Sequence, residues 1–178
     1  MKRAVIIISM LILQTAVYSQ QNLKNMDNYL KETKILNFSD STILNLVNGR
    51  KWQTLDSVNR VKAIYNFVRD EIKFGYNLSD EITASEVLKD GYGQCNTKAT
   101  LLMALLRAVG IPNRIHGFTI DKALQKGAIT GIWYKLSPKN IVHSWVEINL
   151  NDKWYFLEGV ILDKEYLTKL QEKNKECK

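Results

Sequence analysis

The sequence predicts an α+β domain in which helices come first and an antiparallel sheet follows. Between about residues 23 and 110, apolar residues recur every three or four positions, as they do on helices. After Pro112, short runs rich in Ile, Val, Trp, Tyr and Phe replace that spacing. Helices followed by strands are typical of α+β domains. The chain has 178 residues, of which 46% are hydrophobic and 24% charged, the balance of one ordinary globular domain.

The first 19 residues have the layout of a secretory signal peptide. Lys2 and Arg3 precede an apolar run over residues 4–13, and small residues follow as far as Ser19. The run is short for a membrane-spanning helix of about 20 residues, which favours cleavage before Gln20 over a retained membrane anchor. We therefore expect an exported protein, periplasmic or secreted, that contacts a membrane only if this segment is retained.

Charge and cysteine content exclude several classes of function. The net charge is +7, but no basic stripe interleaved with aromatics is present, so we expect no nucleic-acid partner. The tail "KLQEKNKECK" mixes both signs of charge, as a solvated, frayed chain end does. Two cysteines and two histidines show no CxxC or HxxxH spacing, and we expect neither a metal site nor a cofactor. The sequence does not indicate an oligomeric state.

Three helices are predicted before residue 75. The first is amphipathic and covers residues 23–36, and the second begins at Asp40 or Ser41 and ends before Gly49. The third lies in "SVNRVKAIYNFVRDEIKF", residues 57–74. Its predicted buried face consists of Val58, Val61, Ile64, Val68 and Ile72.

A brief helix and then a much more apolar one complete the helical half. Thr83 and Glu86 form a capping-box pattern, and two glycines end that brief helix in "TASEVLKDGYG". In the next helix, only Thr100 and Arg107 are not apolar between residues 99 and 109. Nearly its whole circumference must therefore face protein, which predicts a central helix. Glycine and proline end it in "VGIP".

The strands are predicted in "NRIHGFTI", "GIWYKL", "HSWVEINL" and "KWYFLEGV". Asn151 and Asp152 form a good two-residue hairpin turn between the last two. Counting outward from this turn pairs Leu150 with Lys153 and places Glu158 opposite position 145. The polar segment "DKALQKGAITGIW" is predicted to be either a flap over a cleft or a surface loop.

Cys95 has three interpretations. It begins the central helix, where unpaired N–H groups favour a thiolate, so a nucleophile with a lowered pKa is one of them. A small core hydrophobe is the second, because free cysteines are often buried. In an exported protein, a disulfide with Cys177 is the third. The charged tail around Cys177 has no apolar anchor, so we expect both thiols to be free.

A cysteine nucleophile needs a nearby base, and only two imidazoles are available. His116 lies mid-strand, where a half-buried histidine satisfied by hydrogen bonds is the simpler interpretation. His143 opens a strand and shares one predicted face with Trp145 and Glu147. This pattern alone does not assign it a role.

The segment "ASEVLKDGYGQCNTKATLLMALLRAVGIPNRIHGF", followed later by "HSWVEINLNDKWYFLE", resembles the core of the transglutaminase-like superfamily, whose members share a papain-like arrangement. The resemblance covers roughly residues 58–162. It implies a Cys-bearing central helix packed on the C-terminal sheet. The expected organisation is a signal peptide (1–19), a helical segment (20–57), a transglutaminase-like domain (58–170) and a charged tail (171–178).

The resemblance also implies roles for individual residues. Cys95 corresponds to the nucleophile, His143 to the general base, and Glu158 to the residue that holds the imidazole. The family usually carries Asp in a "D-P" context at the third position, whereas this chain has "LEGV". Asp163 is therefore a fallback for the third member, and Asp152 is a weaker one.

An acyl transfer also needs donors for the oxyanion of its tetrahedral intermediate. The backbone N–H of Cys95 is available, and the Gln94 amide or the Trp145 indole is a candidate for the second donor. Asn96 and Thr97 follow the cysteine where many relatives have an aromatic residue.

The resemblance implies a cysteine-dependent enzyme that hydrolyses an amide or peptide bond through a thioester, with a protein or peptide as substrate. A true protein-crosslinking transglutaminase, which transfers the acyl group to an amine, is one alternative. A non-catalytic binding domain on the same scaffold is the other.

Overall fold

The computed structural model describes residues 26–125 and 131–173, so the predicted signal peptide and Cys177 lie outside the described residues. It confirms the α+β class, with helices first and an antiparallel sheet after them. The helices are α1 (Ser41–Gly49), α2 (Ser57–Asp70), α3 (Ala84–Asp90), α4 (Cys95–Ala108), α5 (Gly131–Leu136) and α6 (Lys164–Lys173), with 3₁₀ turns at Trp52–Thr54 and Lys122–Gln125.

The strands form two sheets. Strands β1 (Lys73–Phe74) and β2 (Tyr92–Gly93) make a short parallel pair just before α4. The larger sheet is antiparallel, in the order β3-β4-β5, and it consists of β3 (Asn113–Asp121), β4 (Asn140–Leu150) and β5 (Lys153–Leu157).

Helix α4 is the centre of the fold, as predicted. It packs against β3 and β4 on one side and against α1, α2 and α3 on the other. Every residue from Thr97 to Arg107 is buried, because both sides of the helix are covered. The guanidinium of Arg107 is satisfied by Asn113 and by the backbone carbonyl of Lys31, which ties the N-terminal segment to the end of α4.

The helix predicted over residues 23–36 is wrong for most of its length. Among the described residues, only 26–28 are helical, and the chain from 31 to 40 is irregular. The carbonyl of Ile35 accepts a hydrogen bond from Ala84 N at 2.8 Å, and Leu36 is buried in the core. These tertiary contacts outweigh the intrinsic helix propensity of the segment, which is a weak determinant of structure.

The strand predicted in "GIWYKL" is also wrong, because this segment is helix α5. No neighbouring strand of the described sheet reaches it, and Ile132 and Leu136 are largely exposed. The preference of such residues for strands reflects packing on a pleated, half-buried surface. Lys122 Nζ donates to the carbonyls of Tyr134 and Ser137, which holds the helical turn in place.

Two smaller expectations are also corrected. Val58 is 51% exposed rather than buried, because α2 begins at Ser57 and its first turn extends beyond the packed part of the helix. The tail predicted to fray from residue 169 is helical as far as Lys173, as the last part of α6. The capping box at the start of α3 is confirmed.

The β4–β5 hairpin has the predicted turn and register. Asn151 and Asp152 both have positive φ, 52° and 61°, as a type I′ turn requires. Leu150 pairs with Lys153, and the last pair before the hairpin opens is Val146 with Leu157. Glu158 follows that pair directly.

Candidate active site

Cys95 is the first residue of α4, and the preceding turn fits closely around it. A Cβ atom at Gly93 would lie 2.7 Å from Thr97 Oγ1, so only glycine fits there. The same Thr97 hydroxyl accepts a hydrogen bond from Gln94 N at 2.9 Å. Cys95 carries a free thiol and is 8% exposed.

A polar network that the sequence analysis missed surrounds the thiol. Asn96 Nδ2 donates to Asp80 Oδ2 at 2.7 Å, and Asn96 Oδ1 accepts from Ser144 Oγ at 2.9 Å. The Cys95 thiol lies 3.7 Å from the same Asn96 Oδ1 and donates to it. The side-chain amide of Gln94 donates to the other oxygen of Asp80. Asp80 and Asn96 thus link the start of α4 to β4.

Burial raises the pKa of the Cys95 thiol above its ordinary value, and the carboxylate of Asp80 acts in the same direction. Backbone N–H groups of Asn96, Cys95 and Ser144 oppose this shift. The expected lowering of the pKa is therefore wrong for this state of the site. The start of the helix acts as expected, but the loss of solvation of a buried thiolate outweighs it.

His143 lies on β4 with its ring half-buried and an edge-to-face contact to Phe118, 5.2 Å between ring centres. Burial lowers the pKa of His143, and the nearby carboxylate of Glu158 raises it. The Nδ1 atom is buried and has no hydrogen-bond partner among the described residues. Glu158 therefore acts on the ring through its charge, without a hydrogen bond to Nδ1.

The segment that carries Glu158 is fixed through its backbone. Tyr65 of α2 donates its hydroxyl to the Glu158 carbonyl at 2.5 Å, and Gly159 follows with φ of 76°. Lys98 of α4 donates to the Ile161 carbonyl at 3.2 Å. Two helices thus position the end of the hairpin.

Lys98 is fully buried one turn after the cysteine. Its ammonium also donates to the carbonyls of Arg69, at 3.0 Å, and Ile72, at 2.8 Å. Burial lowers the pKa of Lys98 to about 8, against the favourable charges of Asp163 and Asp70. The sequence analysis missed this residue, although a lysine at the start of an apolar helix is a visible irregularity.

The structure brings the three proposed catalytic residues to one cavity but not into direct hydrogen bonds with one another. Cys95, His143 and Glu158 all line a cavity of about 710 Å³. Gln94 and Trp145, the candidate oxyanion donors, line it too. No hydrogen bond joins the Cys95 thiol to His143, because the thiol donates to Asn96 instead.

The fallback carboxylates lie elsewhere. Asp163 accepts hydrogen bonds from Tyr166 N, at 2.9 Å, and Phe74 N, at 3.2 Å, as a cap of α6. It does not line the cavity. Asp152 lies in the hairpin turn, at the far end of β5 from Glu158. Of the candidates, Glu158 is the carboxylate beside the imidazole.

His116 has the structural environment expected of it. Its Nδ1 lies 2.9 Å from Glu147 Oε1, and its ring stacks on Trp145 at 4.6 Å between centres. It does not line the cavity. Because Trp145 packs on His116 and its Nε1 is buried without a partner, its role as an oxyanion donor stays a prediction.

Within residues 26–125 and 131–173, no three His, Cys, Asp or Glu side chains are grouped so that they could hold a metal ion. In the same residues, no helix has the length and apolar character needed to cross a membrane.

Comparison with known families agrees with the resemblance seen in the sequence. A model described as "Transglutaminase-like superfamily" matches residues 45–159, well over half of the chain. The chain belongs to the transglutaminase-like superfamily. The comparison with curated proteins gives no significant match.

Two solved structures share the fold. A protein from Cytophaga hutchinsonii, provisionally assigned as a cysteine protease, aligns with a TM-score of 0.58 and 16% identity over 77% of this chain and 42% of its own. The periplasmic domain of TgpA from Pseudomonas aeruginosa aligns with a TM-score of 0.50 and 13% identity, over 75% and 48%. The chain thus spans less than half the length of either structure, and at these identities the likeness concerns the fold alone.

Proposed function

We propose that this protein is a cysteine-dependent acyl-transfer enzyme that hydrolyses an amide or peptide bond. The observation that carries the proposal is the meeting of Cys95, His143 and Glu158 at one cavity, from a helix start and the open end of a hairpin. Cysteine, histidine and carboxylate are the groups that covalent acyl transfer needs within reach of one carbonyl.

In the proposed reaction, His143 takes the thiol proton as Cys95 Sγ attacks the carbonyl carbon of the substrate. The tetrahedral intermediate collapses to a thioester, and His143 gives the proton to the departing amine. His143 then deprotonates a water molecule, which attacks the thioester and frees the acid and the thiol. The charge of Glu158 stabilises the imidazolium that forms in each half of the cycle.

In the resting site the Cys95 thiol is neutral, and it must turn towards His143 before the first step. The thiol donates to Asn96, and burial favours its neutral form. A rotation about the Cys95 side chain breaks this hydrogen bond and turns the proton towards His143. Catalytic hydrogen bonds often tighten only when a substrate binds, so the resting geometry is compatible with the role.

The oxyanion would be held by the backbone N–H of Cys95 and a second donor. The amide group of Gln94 has two hydrogens, one of which Asp80 engages, so the second hydrogen is the better candidate. The buried Trp145 indole would have to move to donate.

Export is part of the proposal. It rests on the layout of the first 19 residues, and the fold is shared with a periplasmic domain.

The test uses peptide libraries that contain internal glutamines, incubated with and without a primary amine and analysed by mass spectrometry. Wild type is compared with Cys95→Ala, and Cys177→Ala is the matched cysteine control. Peptide fragments or deamidated glutamine that need Cys95 but not Cys177 support hydrolysis. Incorporation of the amine as the main product would instead indicate a crosslinking enzyme. No Cys95-dependent product from any peptide would mean a non-catalytic domain.

A further inference from the structure

The cavity at Cys95 has two apolar walls. Phe74, Tyr76 and Tyr166 form the first, with Phe74 in contact with both tyrosines at 5.6 and 5.8 Å between ring centres. They come from the end of β1, the loop after it and helix α6. This wall is therefore assembled from separate parts of the chain rather than from one hydrophobic run.

The sheet supplies the second wall. Phe118 lies 4.2 Å from Trp145 between ring centres, and Ile120 and Ile141 continue the wall as a cross-strand pair on β3 and β4. Phe118 also makes an edge-to-face contact with the ring of His143. The apolar surface thus extends up to the proposed base.

Part of this apolar surface is exposed to solvent. Tyr76 is 54% exposed, Val142 63% and Leu124 76%, and all three line the cavity. Apolar groups that the core does not use, placed around a concave site with a few polar groups, are typical of a ligand-binding surface. The volume of about 710 Å³ accommodates a large side chain together with its backbone.

The charges around the cavity are negative. Asp80 and Glu158 line it, and no lysine or arginine does so among the described residues. A substrate carboxylate would face two like charges without a compensating cation. Such repulsion acts against acidic ligands in a partly enclosed site.

We propose that this cavity is the acyl-donor subsite and that it takes a large apolar side chain, aromatic or aliphatic, next to the scissile carbonyl, while it rejects acidic side chains. The assignment of the bound group as an acyl donor rests on the proposed function. The preference for an apolar ligand rests on the two walls and on the negative lining.

Kinetic and binding measurements test the proposal separately. The p-nitrophenyl esters of N-acetyl-Phe, N-acetyl-Leu, N-acetyl-Gly and N-acetyl-Asp report acylation whether water or an amine follows. After subtraction of the Cys95→Ala rate, kcat/KM for the Phe and Leu esters should exceed that for the Gly ester by about 10- to 100-fold. The Asp ester should be the slowest, and its disadvantage should shrink between about 0.02 M and about 0.5 M salt.

Binding to Cys95→Ala separates this proposal from the enzymatic one. N-acetyl-Phe amide should shift the ring resonances of Tyr76 and Phe118, whereas the Gly and Asp amides at equal concentration should not. Binding of the Phe amide without Cys95-dependent ester cleavage would support the apolar subsite and contradict the proposed enzymatic function. Cys95-dependent cleavage of the Phe and Gly esters at equal rates would support the enzymatic function and contradict the apolar subsite.

A variant pair locates the preference. Tyr76→Ala removes part of the first wall and should lower the Phe-to-Gly ratio of kcat/KM about fivefold. Tyr155→Ala is the matched control, because that tyrosine is 48% exposed on β5 and does not line the cavity. Equal ratios for the two variants would overturn the assignment of the wall.

Discussion

The two sides of the cavity differ in how their polar groups are satisfied. On the helix side, Asn96 and Lys98 have hydrogen-bond partners for their buried polar atoms. On the sheet side, His143 Nδ1 and Trp145 Nε1 are buried without a hydrogen bond of standard geometry. The structure contains one other such side-chain atom within the described residues, Arg60 Nε.

This difference separates groups that position from groups that react. An unpaired buried polar atom costs about 1 to 3 kcal/mol, so proteins contain few of them. The unpaired Nδ1 of His143 beside a free cysteine indicates that this side keeps hydrogen-bonding capacity for a ligand or for a rearranged state, whereas the Trp145 indole interacts with the carboxylate of Glu147 and lowers its pKa. Substitution of Lys98 on the helix side should therefore mainly change stability, and substitution of His143 on the sheet side should mainly change activity.

The largest effect is expected for the imidazole. His143→Ala should slow Cys95-dependent turnover by about 100- to 10,000-fold, because the general base is lost. The rate of Cys95 alkylation near pH 7 should fall strongly too, and urea unfolding should change little. His116→Ala is the control and should keep both rates. Equal alkylation rates in wild type and His143→Ala would contradict the assignment.

The carboxylate should have the next largest effect. Glu158→Gln keeps the shape of the side chain but removes the charge that raises the pKa of His143. That pKa, measured by NMR titration, should fall further below its ordinary value, and turnover should fall about 100-fold. Asp163→Ala should instead lower the free energy of unfolding, by about 1 kcal/mol, because the cap on α6 is lost. Loss of turnover on substitution of Asp163, with little effect of Glu158→Gln on turnover, would make Asp163 the third catalytic residue.

On the helix side, Lys98→Met should lower the free energy of unfolding by about 2 kcal/mol at pH 7, because three backbone carbonyls lose their donor. The pKa of Lys98 falls from 10.5 to about 8 on folding. Between these pH values the unfolded chain binds more protons, so stability rises with pH through this window and is lost as pH falls through about 8.

Because methionine does not titrate, the difference in stability between wild type and Lys98→Met should grow between about pH 8 and about pH 10. Chemical unfolding at several pH values measures it. A difference that stays constant or shrinks would show that the buried ammonium does not lose its proton in this range.

The smallest effect is expected for Asn96. Its side-chain carbonyl accepts the thiol proton and so favours the neutral thiol. Asn96→Ala should therefore speed alkylation of Cys95 at pH 7 by about fivefold. Ser144→Ala is the matched control, since it removes a bond to Asn96 but leaves the acceptor of the thiol in place. Slower alkylation in Asn96→Ala would show that Asn96 activates the thiol instead.

Features set by local or uniform patterns could be predicted from the sequence. The apolar circumference of α4 requires burial on all sides, and Asn151-Asp152 fixes the register that brings Glu158 near position 145. The placement of Cys95 at a helix start follows from the glycines before it. These inferences need only residues that lie close together in the sequence.

Features set by distant partners could not be predicted. Asp80 contacts Gln94 and Asn96 from a polar loop, and nothing in that loop indicates a partner. Lys98 is satisfied by carbonyls from two separate segments, the end of α2 and the chain after β5. The raised pKa of Cys95 depends on how deeply the assembled fold buries it.

The type I′ turn also decides where this protein tolerates changes of length. The pairing of Val146 with Leu157 persists only if both strands gain or lose the same number of residues on the turn side of that pair. One residue inserted in a single strand would slide Glu158 past the imidazole and turn its side chain to the opposite face of the sheet. Symmetric extensions leave the site intact, so the tip of this hairpin is the natural place to graft a peptide tag or a longer recognition loop.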